Sequence, residues 1–202
     1  MRVAVTGTPG TGKTTAVEAA ETDLEVVQLN DLVREADLST GEDPDRGSLV
    51  ADLDAIADRL AGREDVIVES HLAHHLDADR VVVLRCHPES LRDRLLERGE
   101  ARATPEGNAE SPRPPRAPDR KARENAESAM PPPPLTRKAR ENAEAEALDV
   151  VLSEAVAGHG REAVYEIDTT NRPPVAVAAD LEAVVAGDRE PTAGTVDFTD
   201  YL

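Results

Sequence analysis

Residues 2–20 read RVAVTGTPGTGKTTAVEAA and contain the pattern G-x-x-x-x-G-K-[ST] as GTPGTGKT, residues 7–14. The apolar run at 3–5, rich in β-branched residues, predicts a buried parallel strand. Residues 14–20 predict a helix, which places the glycine-rich segment between a strand and a helix. A simple glycine-rich turn does not require this combination, and we therefore interpret the segment as a loop that binds a polyphosphate.

The loop composition also predicts what its residues do. Glycines allow the backbone N–H groups to point inward at an anion, and the N-terminal dipole of the following helix faces the same point. Lys13 is expected to reach the β- and γ-phosphates, and the Thr14 hydroxyl is expected to ligate Mg²⁺. Thr15 can offer an N–H and a hydroxyl to the α-phosphate. The loop glycines are Gly7, Gly10 and Gly12.

Composition limits the class of protein. The 202 residues suit one domain, and the net charge of −18 arises from 41 acidic residues against 20 Arg and 3 Lys. Such a surface, with a core of Val, Leu and Ala, resembles proteins of a salt-rich cytoplasm. A single cysteine, Cys86, excludes a disulfide framework and is expected to be a small buried thiol. Because no apolar run has membrane length and the chain opens with a strand, we expect a cytosolic protein.

Apolar periodicity predicts strands alternating with helices, and hence a three-layer α/β sandwich around a five-stranded, mostly parallel sheet. The predicted strands are 2–6, 24–29, 65–70, 80–85 and 163–168. The predicted helices are 13–22, 30–38, 48–60, 88–98, 144–157 and 173–187. Expected caps are Asn30 or Asp31 for the second helix and Gly99 for the end of the fourth. Predicted helical stripes are Leu49, Leu53, Ile56 and Leu60, and Leu148, Val151, Leu152 and Ala155.

The pattern fails between 99 and 144, where proline-rich stretches exclude regular structure. The octapeptide RKARENAE occurs at 120–127 and again at 137–144, which indicates an internal duplication. Residues 98–145 carry 10 basic and 8 acidic residues, whereas the remainder carries 13 and 33. This non-acidic segment could close over a triphosphate with its arginines. Alternatively, most of the segment 98–145 is a solvent-exposed helix face whose arginines pair with glutamates. Arg98 is the exception, because it ends a regular helix that leads into this segment.

Several stretches together resemble the adenylate kinase isoenzyme 6 family, the archaeal and eukaryotic nuclear-type adenylate kinases that also act as ATPases in small ribosomal subunit maturation. The resemblance covers about residues 1–100 and 137–187. It is carried by GTPGTGKTT, LNDLVREADL, DVIVESH, VVVLRCHPESLRDRLLERG, RKARENAEAEALDVVLSEA and YEIDTTNRPP. It implies a nucleoside monophosphate kinase-like domain over 1–187, in which 30–62 is the monophosphate flap and 98–145 the lid. Residues 188–202 would follow this domain as an acidic tail.

The resemblance also implies site residues. Gly10, Gly12, Lys13, Thr14 and Thr15 match the family's phosphate-binding positions. Arg98 matches the lid arginine that contacts ATP, Arg34 is expected to contact the acceptor phosphate, and residues 168–172 are expected beside the adenine. Glu69 stands where the family usually has Asp and could order a water bound to Mg²⁺. After Arg98 and Gly99, the family's aromatic residue is replaced by Glu100, which weakens the case for a closing lid.

Three histidines follow the strand at 65–70 and allow more than one interpretation. His71 could act near the γ-phosphate or orient an attacking water, or could be a plain strand-end residue. Spacing of i and i+3 or i+4 also allows a metal site with His74 and His75, which the lack of a cysteine or carboxylate cluster disfavours. The closing residues 196–202 could dock on the domain, be disordered or bind a partner.

The functional expectation is transfer of the γ-phosphoryl group of Mg·ATP to AMP, which gives two ADP. The alternatives are an ATP-hydrolysing assembly factor that binds a small-subunit ribosomal protein or pre-rRNA, and a kinase for another small acceptor. Catalytic candidates are Lys13, Arg34, Glu69, His71 and Arg98. A cytoplasmic monomer with no membrane partner is expected.

Overall fold

The computed structural model describes residues 1–43, 48–103 and 134–201. Five strands form a parallel sheet in the order β2-β5-β1-β6-β7. They are β1 (Arg2–Thr6), β2 (Glu25–Gln28), β5 (Val66–Glu69), β6 (Arg80–Arg85) and β7 (Val164–Asp168). A separate antiparallel hairpin pairs β3 (Ser39–Asp43) with β4 (Ser48–Ala51). The helices are α1 (Lys13–Ala19), α2 (Leu29–Glu35), α3 (Leu53–Leu60), α4 (Pro88–Ala103), α5 (Pro134–Ala147), α6 (Val150–His159) and α7 (Pro174–Ala186).

Alternate residues of each strand point to opposite faces and build two cores. One face packs Ala4, Val68 and Val83 against helices α2, α3 and α6. The other packs Val5 and Leu84, with their neighbours, against α1 and α7. The three-layer sandwich with a nucleoside monophosphate kinase-like fold is thereby confirmed, and the sheet is parallel throughout. None of the helices that the structure describes combines the length and the apolar character needed to cross a bilayer.

Two predictions for the segment 28–60 are wrong. Helix α2 starts at Leu29, directly after β2, so Asn30 and Asp31 lie inside the helix and neither caps it. Residues 48–51 form a strand rather than the first turn of a helix, because they pair with β3. Leu49 is consequently 49% exposed, and α3 begins only at Leu53. The Asp52 carboxylate caps that helix by accepting from the Ala55 N–H at 3.0 Å.

Two further predictions are wrong near the proline-rich segment. Helix α4 continues through Gly99 to Ala103, since an interior glycine costs only about 1 kcal/mol. The helix predicted over 144–157 is broken, because Asp149 adopts a positive φ of 53° between α5 and α6. Leu148 therefore leaves the predicted stripe and is 59% exposed. The first RKARENAE copy lies outside the described residues, whereas the second copy lies on α5.

Candidate functional site: a phosphate-binding cavity

The loop between β1 and α1 lies at the carboxyl ends of the parallel strands, where open α/β sheets bind ligands. Gly7 has a φ of +140°, and a Cβ there would lie 2.4 Å from the Leu84 carbonyl oxygen at the end of β6. Gly10 has a φ of +101°, and its Cβ would lie 2.9 Å from side-chain carbons of Leu91 and Leu95 on α4. Glycine at these two positions thus lets the loop lie directly on β6 and α4.

Lys13, the first residue of α1, points its side chain back into the loop. Its Nζ donates to the Gly7 carbonyl oxygen at 2.8 Å and to the Thr8 carbonyl oxygen at 3.1 Å. Burial lowers the pKa of Lys13 to about 8, and this effect outweighs the opposing influence of the Glu69 carboxylate. An ammonium held in this way is a point charge ready to pair with a phosphate oxygen.

Thr14 and Glu69 place two side-chain oxygens next to each other beside the loop. The Thr14 hydroxyl donates to Glu69 Oε2 at 3.2 Å, and Glu69 itself is buried at the end of β5. Burial raises the pKa of the Glu69 carboxyl, whereas Lys13 and Thr14 lower it. Mg²⁺ takes oxygen ligands and usually keeps several of its waters, so the Thr14 hydroxyl could bind the ion directly and Glu69 could hold one of those waters.

A cavity of about 630 Å³ opens beside the loop, which is a typical volume for a small-molecule site. Three arginines line it. Arg94 on α4 donates to the Thr169 carbonyl oxygen at 2.8 Å, and Arg172 pairs with Asp180 at 2.7 Å. Arg98 on α4 is exposed toward the cavity. The other lining residues are Pro9, Gly10, Thr11, Gly12, Lys13, Thr14, Thr15, Ala16, Asn30, Glu69, His71, Leu95, Thr169, Pro174 and Val177.

His71 lies on the wall of the cavity, two residues after the end of β5. The surrounding recess desolvates its ring and, with Lys13, lowers the pKa of His71 to about 4, although the residue remains exposed to the cavity. The imidazole is therefore neutral at pH 7. A neutral imidazole beside a phosphate site can accept a hydrogen bond from water and can serve as a proton acceptor.

The structure brings together all of the predicted site residues except Arg34. Residues 10, 12–15, 69, 71 and 98 all line the cavity. Arg34 does not belong to the lining: its side chain is 68% exposed and pairs with Asp31 at 3.3 Å. Asn30, one turn earlier on the same helix, does line the cavity.

Sequence reasoning missed two residues of the site. Arg94 precedes Arg98 by four positions, which is the spacing that puts two side chains on one helix face. That spacing was the signal for Arg94. Glu146 is only 3% exposed and accepts a hydrogen bond from the Thr8 hydroxyl at 2.5 Å. No local pattern distinguishes it from the exposed glutamates of its helix.

The histidines after β5 form a separate feature behind the loop. The described residues include one potential ligand group, His74, His75 and Glu154, whose ligand atoms lie within 4.8 Å of one another. His71 is not part of it. Both ring nitrogens of buried His74 already form hydrogen bonds, to the Thr6 hydroxyl at 2.9 Å and to Glu154 at 3.0 Å. This arrangement is that of a satisfied core histidine.

The closing residues dock on the domain. The Thr195 N–H donates to Glu166 Oε2 at 2.7 Å, and the Phe198 ring lies edge-on to His87 at 5.5 Å and over the Arg85 guanidinium at 5.4 Å. Of the alternatives that the sequence left open for this segment, the docked one agrees with these contacts.

The chain is similar to known proteins along its whole length. A family profile described as an AAA domain matches residues 3–114. A relative from Natronomonas pharaonis is 56% identical over 202 residues, with 100% of each chain covered. Relatives from Halobacterium salinarum and Methanothermobacter thermautotrophicus are 55% and 39% identical, the second with 99% of this chain and 98% of its own covered. Each of the three carries the name "Putative adenylate kinase".

Solved structures resemble the chain in fold. A shikimate kinase from Bacteroides thetaiotaomicron superposes with a TM-score of 0.50 at 15% identity, covering 92% of this chain and 98% of its own. A sulfotransferase from Alicyclobacillus acidocaldarius gives a TM-score of 0.54 at 14% identity, covering 98% and 86%. At such identities the likeness shows the fold alone. From the full-length match to the archaeal relatives and the matched AAA domain, we conclude that this chain belongs to their family of P-loop proteins with a nucleoside monophosphate kinase-like fold.

Proposed function

We propose that the protein is an adenylate kinase that transfers the γ-phosphoryl group of ATP to AMP. The bond between the γ-phosphorus and the bridging oxygen breaks while a bond to an AMP phosphate oxygen forms, so that two ADP result. One observation carries the proposal: Lys13, Thr14 and Glu69 face the same cavity as Arg94, Arg98 and Arg172. The names of the archaeal relatives support AMP as the acceptor.

Each residue would act mainly by position and charge, because phosphoryl transfer demands little covalent chemistry from side chains. Lys13 would leave the loop carbonyls to pair with the β- and γ-phosphates, and Gly10, Gly12 and Thr15 would present N–H groups. Arg98 would neutralise charge on the transferring group. Thr14 and Glu69 would hold Mg²⁺, directly and through a water. Bound Mg²⁺ would supply charge neutralisation at the phosphate oxygens.

The remaining parts of the site would recognise the two bases and the acceptor phosphate. The adenine of ATP would lie beside residues 168–172, of which Thr169 and Arg172 line the cavity together with Pro174 and Val177. Residues 30–62 would form the monophosphate flap, and Asn30 already faces the cavity. For Arg34 to contact the acceptor phosphate, its guanidinium would have to exchange Asp31 for the nucleotide. Residues 98–145 would form the lid.

A second candidate function is ATP hydrolysis in the maturation of the small ribosomal subunit, through a ribosomal protein or pre-rRNA. His71 favours it, because a neutral imidazole next to Glu69 on the cavity wall could orient an attacking water. The two activities are compatible. We also propose that the protein is a cytoplasmic monomer that works at high salt. The net charge of −18 supports the high-salt part, because molar salt shortens the range of charge repulsion to about 3 Å.

The test is a pair of assays run in parallel at molar KCl with Mg·ATP, one for ADP and one for free phosphate, each with and without AMP. ADP that forms only with AMP, without free phosphate, supports the kinase. Free phosphate released regardless of AMP supports the hydrolase instead. Lys13→Ala should reduce either activity by at least a thousandfold, and a variant that keeps near-full rate would refute the proposed role of the loop.

A further inference from the structure

A buried ion pair lies directly behind the phosphate-binding loop. Arg85 is the last residue of β6, and its Nε donates to Glu146 Oε1 at 2.7 Å. The two side chains are 1% and 3% exposed. A buried pair of this kind is costly to break on one side, because the remaining charge is then left unpaired in the interior. The pair thus joins α5 firmly to the sheet at the base of the loop.

The Glu146 carboxylate accepts three hydrogen bonds from different elements. Its Oε1 also accepts from the Cys86 N–H at 3.1 Å, and its Oε2 accepts from the Thr8 hydroxyl at 2.5 Å. A carboxylate has acceptor sites for all three donors, whereas an amide has a single acceptor oxygen and adds an N–H₂ group. Glutamate can therefore accept from all three donors at once, whereas a glutamine oriented toward Arg85 could meet Thr8 only by donating to its hydroxyl oxygen.

Thr8 connects Glu146 to the phosphate loop, because its hydroxyl bonds to Glu146 and its carbonyl oxygen bonds to loop residues. Its carbonyl oxygen accepts from Lys13 Nζ at 3.1 Å, from the Thr11 N–H at 3.2 Å and from the Thr11 hydroxyl at 3.0 Å. The residue is 2% exposed, so water cannot replace the Glu146 carboxylate as a partner of the hydroxyl. The orientation of this one residue thus fixes both the turn at Thr11 and the resting position of the Lys13 ammonium.

Arg85 is in turn held from the opposite side, which leaves Glu146 little freedom. The Arg85 guanidinium donates to Glu166 Oε1 at 2.7 Å and to the Glu146 carbonyl oxygen at 3.2 Å, and it also pairs with Asp149. The guanidinium carries one positive charge and shares it among the Glu146, Asp149 and Glu166 carboxylates, so it compensates only part of the negative charge behind the loop.

We propose that Glu146 is a positioning residue for the phosphate-binding loop: through the Thr8 hydroxyl it sets the loop conformation from which Lys13 engages a phosphate. Glu146 does not touch the nucleotide. The inference rests on the nucleotide-binding role proposed above, and it adds a determinant that lies on α5, far from the loop in sequence. A single hydroxyl connects the two, which makes the connection testable without disturbing the ion pair.

The first experiment compares Thr8→Val with Thr8→Ser by calorimetric titration with Mg·ADP in molar KCl, below the melting temperature of each variant. Valine keeps the shape of threonine and removes the hydroxyl, and we expect the Kd to rise about tenfold. Serine keeps the hydroxyl and should stay within twofold of the parent protein. Glu64→Gln, an exposed change before β5 and outside the cavity lining, is the matched control and should also stay within twofold.

The second experiment is a double-mutant cycle with Glu146→Met, because methionine has nearly the length of glutamate and no group that can bond the Thr8 hydroxyl strongly. If Glu146 acts through Thr8, Thr8→Val should change the Kd less than twofold once residue 146 is methionine. A tenfold effect of Thr8→Val in both backgrounds would overturn the inference. If Glu146→Met does not fold, the valine and serine variants decide alone: equal Mg·ADP affinity of Thr8→Val and the parent refutes it.

The outcomes separate this inference from the proposed function. A parent protein that does not bind Mg·ADP, or that binds it equally well as Lys13→Ala, refutes the nucleotide-binding role itself. A parent protein that binds normally, with a Thr8→Val variant that binds as tightly, refutes only the role of Glu146. A purely structural role would lower the melting temperature of Thr8→Val and leave its Kd and kcat unchanged.

Discussion

Replacing Lys13 by methionine should stabilise the fold while it removes nucleotide binding. Methionine is close to lysine in length and shape but carries no charge. In the structure the Lys13 side chain is buried, and among the described residues its ammonium has two carbonyl oxygens as hydrogen-bond partners, those of Gly7 and Thr8. A buried ammonium lowers the free energy of unfolding, and it is retained because the phosphate-binding site needs its charge.

The size of this stability change follows from the pKa of Lys13. A fall from 10.5 to about 8 means that the protonated form of Lys13 is disfavoured by about 3 kcal/mol in the folded state. Methionine loses the two hydrogen bonds, and the Gly7 carbonyl then lacks this donor, which costs about 1 kcal/mol. We therefore expect Lys13→Met to raise the free energy of unfolding by about 2 kcal/mol at pH 7.

The pH dependence provides an internal check. Because the pKa of Lys13 is lower in the folded protein than in the unfolded chain, the unfolded chain binds more protons between pH 8 and 10.5. The cost of Lys13 is thus fully present below pH 8 and disappears as the pH rises toward 10.5. The stability advantage of Lys13→Met should shrink by about 1.4 kcal/mol per pH unit in this window.

Urea unfolding of both proteins in molar KCl, at pH 7 and at pH 9.5, measures this difference. Arg59→Met on the exposed face of α3 is the matched control and should change stability by less than about 0.5 kcal/mol. A Lys13→Met variant that is less stable than the parent at pH 7, or a difference that does not depend on pH, would refute the reasoning.

Three further predictions concern the ion site, the loop and the docked tail. Glu69→Gln should raise the Mg²⁺ concentration for half-maximal activity at least tenfold, which a magnesium titration measures. It should not lower the free energy of unfolding in urea, because burial already disfavours the charged form of this carboxyl and raises its pKa. Gly7→Ala should abolish nucleotide binding in calorimetry, because the added Cβ would lie 2.4 Å from the Leu84 carbonyl oxygen. At Gly12 an added Cβ would meet nothing within 4 Å, so Gly12→Ala should lower the free energy of unfolding by only about 1–2 kcal/mol, from backbone strain. Phe198→Ala should lower the free energy of unfolding by about 1 kcal/mol, because the ring leaves the guanidinium and the imidazole beneath it; equal stability in urea would show that the tail contacts contribute nothing.

Local sequence was sufficient where a structural signal is contained in consecutive residues. The strand 80–85 has the bounds that its apolar run predicts, because a strand buried on both faces shows as an unbroken run of β-branched residues. The loop at 7–14 was equally readable, since glycine, lysine and threonine at that spacing have few other uses. Lys13 and Thr14 followed from that motif, whereas Glu69 was expected at the site only through the family resemblance.

Where a long-range partner decides the conformation, local sequence failed. Residues 48–51 would suit a helix by periodicity, yet they pair with β3 and form a strand. Leu148 fits a helical stripe, yet the helix breaks beside it. The break lies where the Arg85 guanidinium pairs with Asp149 and donates to the Glu146 carbonyl.

The sequence by itself determined the phosphate loop and the alternation of strands and helices. The tertiary structure alone decided which of the many glutamates is buried behind the loop, that Arg34 points away from the cavity, and that the tail covers Arg85. The physical reason is range. Periodicity and glycine content act within a few residues, whereas the burial of Glu146 depends on an arginine 61 positions away.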